Sequence, residues 1–454
     1  MKMKKNLAAA VSVSLAAAAL AVSPIHASAA ATYSTTKAEG TNTTVLNKYL
    51  VLDAEANVPN AEFTFTVTPG EAVDADIENG KLAVLAGVGS PALTNGTMTF
   101  SPADTAAAEA DKGTDTPVFA TADTTDEQYV KKQLTLDFTD VAFTEPGVYR
   151  YIITEAGTNQ GITNGYSDGE LTRTLDVYVF DAGTDDEDGN PQLTIAGYVM
   201  YEGTVTDAPN AETAEDADPA DNPNGAEVDG AVKNDSITNL YESCDLTFSK
   251  TVTGNQGSKD KYFAFTVKIA NAVPGAQYDV SYDNADAAIS ANPNAATTCI
   301  TEDVTQPAKL YMTADGTSAV SETNAGVAEK EFTFYLQNGQ SIEIKGLAKG
   351  TEYTVTEAPE DYTPSAVITG DTMTGDGAED GTPEAIALAD NAMHDDFMQA
   401  DAEIDFTNNR QGVIPTGILS TLAGSLCLTA IGAAGIAGGM LYVKKKKSGS
   451  DEEE

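Results

Sequence analysis

The chain has 454 residues, with 69 acidic against 25 basic side chains and a formal net charge of −44 at pH 7, a balance that excludes nucleic-acid binding because phosphates require a basic patch. Hydrophobic residues make up 41%, with 18 Tyr and 14 Phe, so most of the chain can bury a core, and two or three domains are expected. His26 and His394 are the only two histidines, so no metal cluster and no cofactor is expected, and a Ser-His-Asp triad would have to use His394.

Lys2, Lys4 and Lys5 precede an apolar run from Leu7 to Val22 and then Ala27-Ser28-Ala29. This is the pattern of a secretory signal peptide over 1–29. The exported part then reads as short alternating strands. Leu46, Leu50 and Leu52 share a phase, as do Leu134, Leu136 and Phe138, and Leu171, Arg173, Leu175, Val177 and Val179 form one face of another run. Asp185, Asp186, Glu187 and Asp188 lack EF-hand spacing and read as capping a hairpin through Gly189-Asn190. Residues 206–230, acidic and without aromatics, read as a long solvated loop. Phe332, Phe334 and Leu336 lead through Asn338-Gly339 to Ile342 and Ile344, which predicts a hairpin. With no long helical period, the expectation is antiparallel β-sandwiches.

The chain repeats itself. Phe63-Thr64-Phe65-Thr66-Val67 returns as Phe263-Ala264-Phe265-Thr266-Val267, and Tyr151 to Ala156 (YIITEA) returns as Tyr353 to Ala358 (YTVTEA). Two tandem domains are predicted, 30–240 and 241–410. Cys244 and Cys299 are the cysteines outside the apolar C-terminal segment, and an exported chain permits a disulfide between them.

Pattern and chemistry disagree at six positions. Lys48 is in phase with Leu46 and Leu50, and Lys250 with Leu246, Phe248 and Val252, so both lysines should point inward. Glu155 is in phase with Tyr151 and Ile153, Glu357 with Tyr353 and Val355, Asn239 with Ile237, and Asn408 with Ile404 and Phe406. The Lys-to-Glu spacing is 107 residues in both repeats. Buried charges must be paired or neutralised. One account is a buried Lys-Glu ion pair with a hydrogen-bonded Asn. The sharper account uses desolvation to lower the lysine pKa and raise that of glutamate, so that a neutral amine attacks the Asn side-chain carbonyl while Glu shuttles protons. The product is a Lys-Asn amide joining the first and last strands of each domain. Asn234 is the alternative to Asn239.

At the C-terminal end, Val413-Ile414-Pro415-Thr416-Gly417 precedes the uncharged span from Ile418 to Val443, then Lys444 to Lys447 and a tail ending at Glu454. The span is long enough to cross a bilayer, with the tail 444–454 cytoplasmic. Pentapeptide (within 411–417), span and lysines in this order resemble the cell-wall sorting signal of Gram-positive surface proteins, which implies sortase cleavage between Thr416 and Gly417. Val413 and Ile414 depart from the usual Leu-Pro.

These motifs together, with Thr251-Val252-Thr253-Gly254-Asn255, resemble the major (backbone) pilins of sortase-assembled pili of streptococci and related Gram-positive bacteria. The resemblance implies two immunoglobulin-like domains, each with a Lys-Asn isopeptide bond promoted by glutamate. It also implies a shaft polymerised covalently from copies of the chain by a class C sortase, bearing minor or tip pilins and anchored to peptidoglycan. The acceptor amine in that family lies six or seven residues before the bond-forming Asn, which points to Lys233, read as an exposed loop residue. The expected location is the cell wall and pilus surface, after a membrane-anchored precursor. The alternative is a monomeric wall-anchored adhesin; the host ligand is not legible, and a secreted hydrolase has no support in the composition.

Overall fold

The computed structural model describes residues 42–413 apart from 121–126, 167–168, 186–189, 211–227, 284–296, 299–304, 318–319, 322–323, 371–383 and 389–392. The expected signal peptide, the sorting residues from 414 on, the apolar span and the cytoplasmic tail lie outside the described residues. No described helix is long and apolar enough to cross a membrane.

Among the described residues the chain is all-β, with two single-turn 3-10 segments, Ile77–Asn79 and Glu109–Asp111, as its only helical elements. Residues 43–241 build two sheets. One runs Ala92–Thr94, Glu127–Asp137, Thr43–Asp53, Ser236–Tyr241, Ile162–Thr163; the other runs Pro191–Glu202, Thr172–Asp185, Gly147–Ala156, Ala61–Pro69, Thr97–Phe100. Residues 243–409 build two further large sheets and a two-stranded ribbon of Thr297–Thr298 with Thr305–Gln306. The larger has Ser243–Thr253 flanked by Gln340–Ala348 and Ala402–Asn409; the smaller runs Lys330–Leu336, Phe263–Ala270, Glu352–Glu357, Met393–Phe397. Aromatic contacts bridge the paired sheets, Phe138 to Tyr151 at 5.2 Å and Phe265 to Phe406 at 5.3 Å between ring centroids, as in a sandwich whose two inner faces interdigitate.

Strict alternation explains the second opening strand: Cys244, Leu246, Phe248, Lys250 and Val252 are buried while their neighbours are not. The first opening strand is buried on both faces from Leu46 to Leu52. Tyr49 and Val51 on its outer face are covered by Tyr129, Phe119 and Leu240.

Two expectations need correction. The sandwiches are not wholly antiparallel, because each opening strand pairs in parallel with its closing strand, Leu50 opposite Asn239 and Val252 opposite Asn408. A strand returning from far along the chain has no tight turn to fix its direction. Nor do the strands flanking Asn338-Gly339 form a hairpin: Lys330–Leu336 joins the smaller sheet and Gln340–Ala348 the larger. The turn instead docks on the opening strand, Gly339 N donating to the Lys250 carbonyl at 2.7 Å and Val252 N to Asn338 Oδ1 at 2.8 Å. Both flanking strands thereby aim apolar residues into one core from opposite sides.

Only Glu242 separates the closing strand Ser236–Tyr241 from the next strand, Ser243–Thr253. Across this junction the Tyr241 hydroxyl donates to the Gly346 carbonyl at 3.1 Å, and Lys345 pairs with Glu55 at 2.7 Å. Gly346 has φ +74° and approaches so closely that a Cβ there would lie 2.9 Å from Ala56 Cα, a position that only glycine fits.

Candidate functional site

The opening and closing strands lie side by side in one sheet, and the glutamate comes from the sheet facing them. In the first repeat Lys48 stands opposite Ile237, and Asn239 follows two residues on, on the same face. Glu155 reaches in from Gly147–Ala156, where it lies opposite Phe65. The second repeat reproduces this: Lys250 opposite Phe406, Asn408 two residues on, Glu357 opposite Phe265. The six side chains therefore converge as two triplets, and all six residues are at most 2% exposed.

In the first triplet Lys48 Nζ lies 2.9 Å from Glu155 Oε2, and Asn239 Nδ2 donates to Glu155 Oε1 at 2.7 Å. Asn239 Nδ2 also donates to Asn164 Oδ1 at 2.9 Å, and its Oδ1 accepts from Gly165 N at 2.9 Å. Gly165 takes φ +60° to present that N–H. In the second triplet Lys250 Nζ lies 2.6 Å and Asn408 Nδ2 2.8 Å from the same atom, Glu357 Oε1. Asn408 Oδ1 is buried without a hydrogen-bond partner. Each amine sits over an aromatic face, Lys48 at 4.6 Å from the Phe63 centroid and Lys250 at 4.7 Å from Phe263.

Burial pushes the Lys48 amine down from 10.5 to about 8, against the attraction of Glu155, with the Arg173 charge lowering it further. Burial likewise pushes Lys250 down to about 8 against Glu357, and pushes Glu357 up against Lys250 and the Asn408 hydrogen bond. At pH 7 a pKa near 8 leaves roughly one amine in ten neutral, against fewer than about one in a thousand for an ordinary lysine. Once a proton moves from Lys250 to Glu357, the acid can donate to Asn408 Oδ1 with the amide turned over, which satisfies the orphan oxygen and polarises the carbonyl. At Asn239 the Gly165 N–H already does part of this, standing where negative charge would develop during attack.

Asn234 is not at this site: its Nδ2 donates to Glu202 Oε1 at 2.9 Å and its Oδ1 accepts from Ser236 N at 2.9 Å. Lys233 is half-buried rather than exposed in a loop, because it forms a β-bridge with Tyr201 beside the edge strand Pro191–Glu202. It lines a groove of about 650 Å³ with Thr44, Val118, Met200 and Asp235. Cys244 is buried in the core, and Cys299, like Thr416 and Gly417, lies outside the described residues. No group of three or more potential metal ligands occurs among the described residues.

Sequence reasoning missed two buried arginines. Arg150 and Asp176 are cross-strand partners on the outer face of their sheet, joined by Nε to Oδ1 at 2.7 Å and Nη2 to Oδ2 at 2.8 Å. Arg150 Nη1 donates to the Val205 and Asp207 carbonyls at 3.0 and 2.8 Å, and so holds the segment that covers it. Arg173 was visible in the inward phase with Leu175 and Val177, which was its only signal.

Residues 44–213 match the Spy0128-like isopeptide containing domain, and residues 244–391 match a domain of unknown function, DUF7601. The chain is similar to a pilin of Streptococcus pyogenes serotype M1, 25% identical over 416 residues that cover 91% of this chain and 93% of the relative. Among solved structures it is similar to the major pilin from Streptococcus pyogenes, with TM-score 0.44 and 21% identity over 82% of this chain and 100% of that one. It is also similar to the pilus-presented adhesin Spy0125 (Cpa), with TM-score 0.25 and 11% identity over 83% of this chain and 100% of that one.

Proposed function

We propose that this chain, which resembles a streptococcal pilin over nearly its whole length, is the backbone subunit of a covalently polymerised surface pilus whose two immunoglobulin-like domains, 30–240 and 241–410, each carry a self-formed Lys-Asn isopeptide bond. The observation that supports this most is the twofold occurrence of one buried Lys-Glu-Asn triplet on the first, middle and last strands of a sandwich. A buried ion pair by itself is weak support for stability; two copies with a reactive amide at the same carboxylate are better explained by chemistry.

In each domain the neutral lysine amine attacks the Asn Cγ, the protonated Glu gives its proton to the departing amide nitrogen and is reprotonated from the attacking amine nitrogen, and ammonia leaves as the new Nζ–Cγ amide forms. Nothing is oxidised or reduced, and no cofactor enters. Glu155 and Glu357 promote the bonds; Lys48 with Asn239 and Lys250 with Asn408 form them. A pilin-specific sortase then cleaves Thr416–Gly417 and passes the acyl group to Lys233 of another copy. Strand directions suit head-to-tail growth. The opening strand of the first repeat runs from the Lys233 groove towards the junction with the second, and the closing strand Ala402–Asn409 leaves that junction for Val413 at the opposite pole.

Intact mass of the exported region tests the core of this reading. The expected value is the sequence mass less two ammonia molecules; an unreduced mass after complete folding refutes it.

A further inference from the structure

The first triplet has a polar neighbour that the reaction above does not use. Arg173 lies on Thr172–Asp185 in the sheet that carries Glu155, opposite Ile153, and is fully buried. Its Nε and Nη2 both donate to the Ser236 carbonyl, at 2.9 and 2.6 Å, and its Nη1 donates to the Thr172 carbonyl at 2.8 Å. Ser236 begins the closing strand, three residues before Asn239. The guanidinium therefore spans from one sheet to the main chain of the other, close to the strand position that must be held for reaction. In the second repeat the same ladder position, opposite Val355, belongs to His394.

We propose that Arg173 is a positioning residue for the Lys48–Asn239 crosslink: it fixes the closing strand through the Ser236 carbonyl and presents a permanent positive charge towards the reacting amine. This inference rests on the isopeptide reading above. A two-pronged donor to one carbonyl oxygen restricts the strand's sliding along the facing sheet, and a misplacement of about 1 Å can cost on the order of a hundredfold in rate. The charge works against the ammonium form of Lys48. The other groups around that amine are Glu155 from the facing sheet, Asn239 on the closing strand, and Lys132, its ladder partner on Glu127–Asp137. Lys132 is itself held by Asp104 at 2.8 Å; Glu155 is the stronger charge acting on the amine and Arg173 the weaker, opposing one.

The test follows the two crosslinks separately in the full exported region. Chain made by pulsed cell-free synthesis is diluted into buffers across the range of lysine titration and quenched in denaturant at intervals. The tryptic peptides joining Lys48 to Asn239 and Lys250 to Asn408 are then quantified, the second serving as internal control. For Arg173→Met the half-maximal pH of the first crosslink rises by about one unit and its plateau rate falls at least about tenfold, while the second crosslink is unchanged. Arg173→Lys retains the charge and loses the fork, so it keeps the wild-type midpoint with a lowered plateau. A wild-type pH profile in Arg173→Met overturns the proposal. So does failure of the first repeat to fold in both variants, judged by proteolysis, because the arginine is then structural only. If the unaltered chain never forms the first crosslink, the isopeptide reading itself has failed, and this is seen before any substitution is made.

Discussion

Replacing Asn408 with Ala removes the acceptor carbonyl of the second crosslink and leaves its strand otherwise intact. The crosslink would tie off 159 residues, from Lys250 to Asn408 inclusive. Treated as a covalent loop closure, that removes chain entropy from the unfolded state equivalent to about 5 kcal/mol at 25 °C. The hydrogen bond from Asn408 Nδ2 to Glu357 and the unpartnered Asn408 Oδ1 belong to the unreacted triplet; because Nδ2 leaves as ammonia when the crosslink forms, the loop-closure term carries the comparison. For a unit the size of residues 243–409, about 2–4 °C per kcal/mol gives a fall of about 10–20 °C in the Tm of the second domain. Calorimetry of the exported region, with intact mass on the same sample, reads both quantities. The deficit from the variant's own sequence mass should shrink from two ammonia molecules to one. A variant that still loses two ammonia molecules refutes the assignment of Asn408, and a shift under about 3 °C with the correct mass refutes the loop-entropy reasoning.

The Asn408→Ala chain also keeps Lys250 as an amine, held at about 8 in the fold against 10.5 when exposed. Between those values the unfolded chain binds more protons, so the variant gains stability as pH rises through that window, whereas a Lys250 locked in an amide gains none; the Tm gap to wild type narrows, and a gap that widens contradicts the assignment. Lys233→Ala should abolish high-molecular-weight ladders in wall extracts while leaving the intact-mass deficit of each subunit unchanged; persistent ladders show that another amine is the acceptor, and a wild type without ladders favours the monomeric adhesin. Arg150→Met strands Asp176 in a buried site and should destabilise the first domain by about 3–5 kcal/mol, with Arg150→Met/Asp176→Leu recovering most of the loss. Denaturant titration of the three chains decides it, and a double variant as unstable as the single one would count against the desolvation argument.

The triplets were legible because alternation is a sharp ruler. A lysine in phase with Leu246, Phe248 and Val252 can hardly be anything but inward, and the second repeat supplied an independent copy of the same anomaly. Chain order alone identified which strands open and close each domain, but not that they run parallel, since direction depends on a long connection rather than on local residues. Asn338-Gly339 misled for a related reason: a turn dipeptide reports a reversal, not which sheet the chain enters afterwards. Arg150 lay out of reach, because it is buried on an outer face by the covering segment at Val205 and Asp207, and no periodicity records a loop folding back over a sheet. Arg173 was in plain view on an inward face and passed over because it had no twin. The polarising N–H of Gly165 depends on a positive φ that residue type permits without announcing.

Parallel pairing at the margin of the second sandwich bears on how a filament would answer to traction. Pulled through Ser243 at one end and Asn409 at the other, the strands Ser243–Thr253 and Ala402–Asn409 are drawn along each other in opposite senses, so their ladder is sheared as a whole instead of being unzipped rung by rung. The first sandwich is placed differently: a pull between Lys233 and Ser243 passes along the short strand Ser236–Tyr241 alone, and the rest of that sandwich hangs beside the taut line. Of the two amides, the one at Asn408 would carry force in series and the one at Asn239 would not.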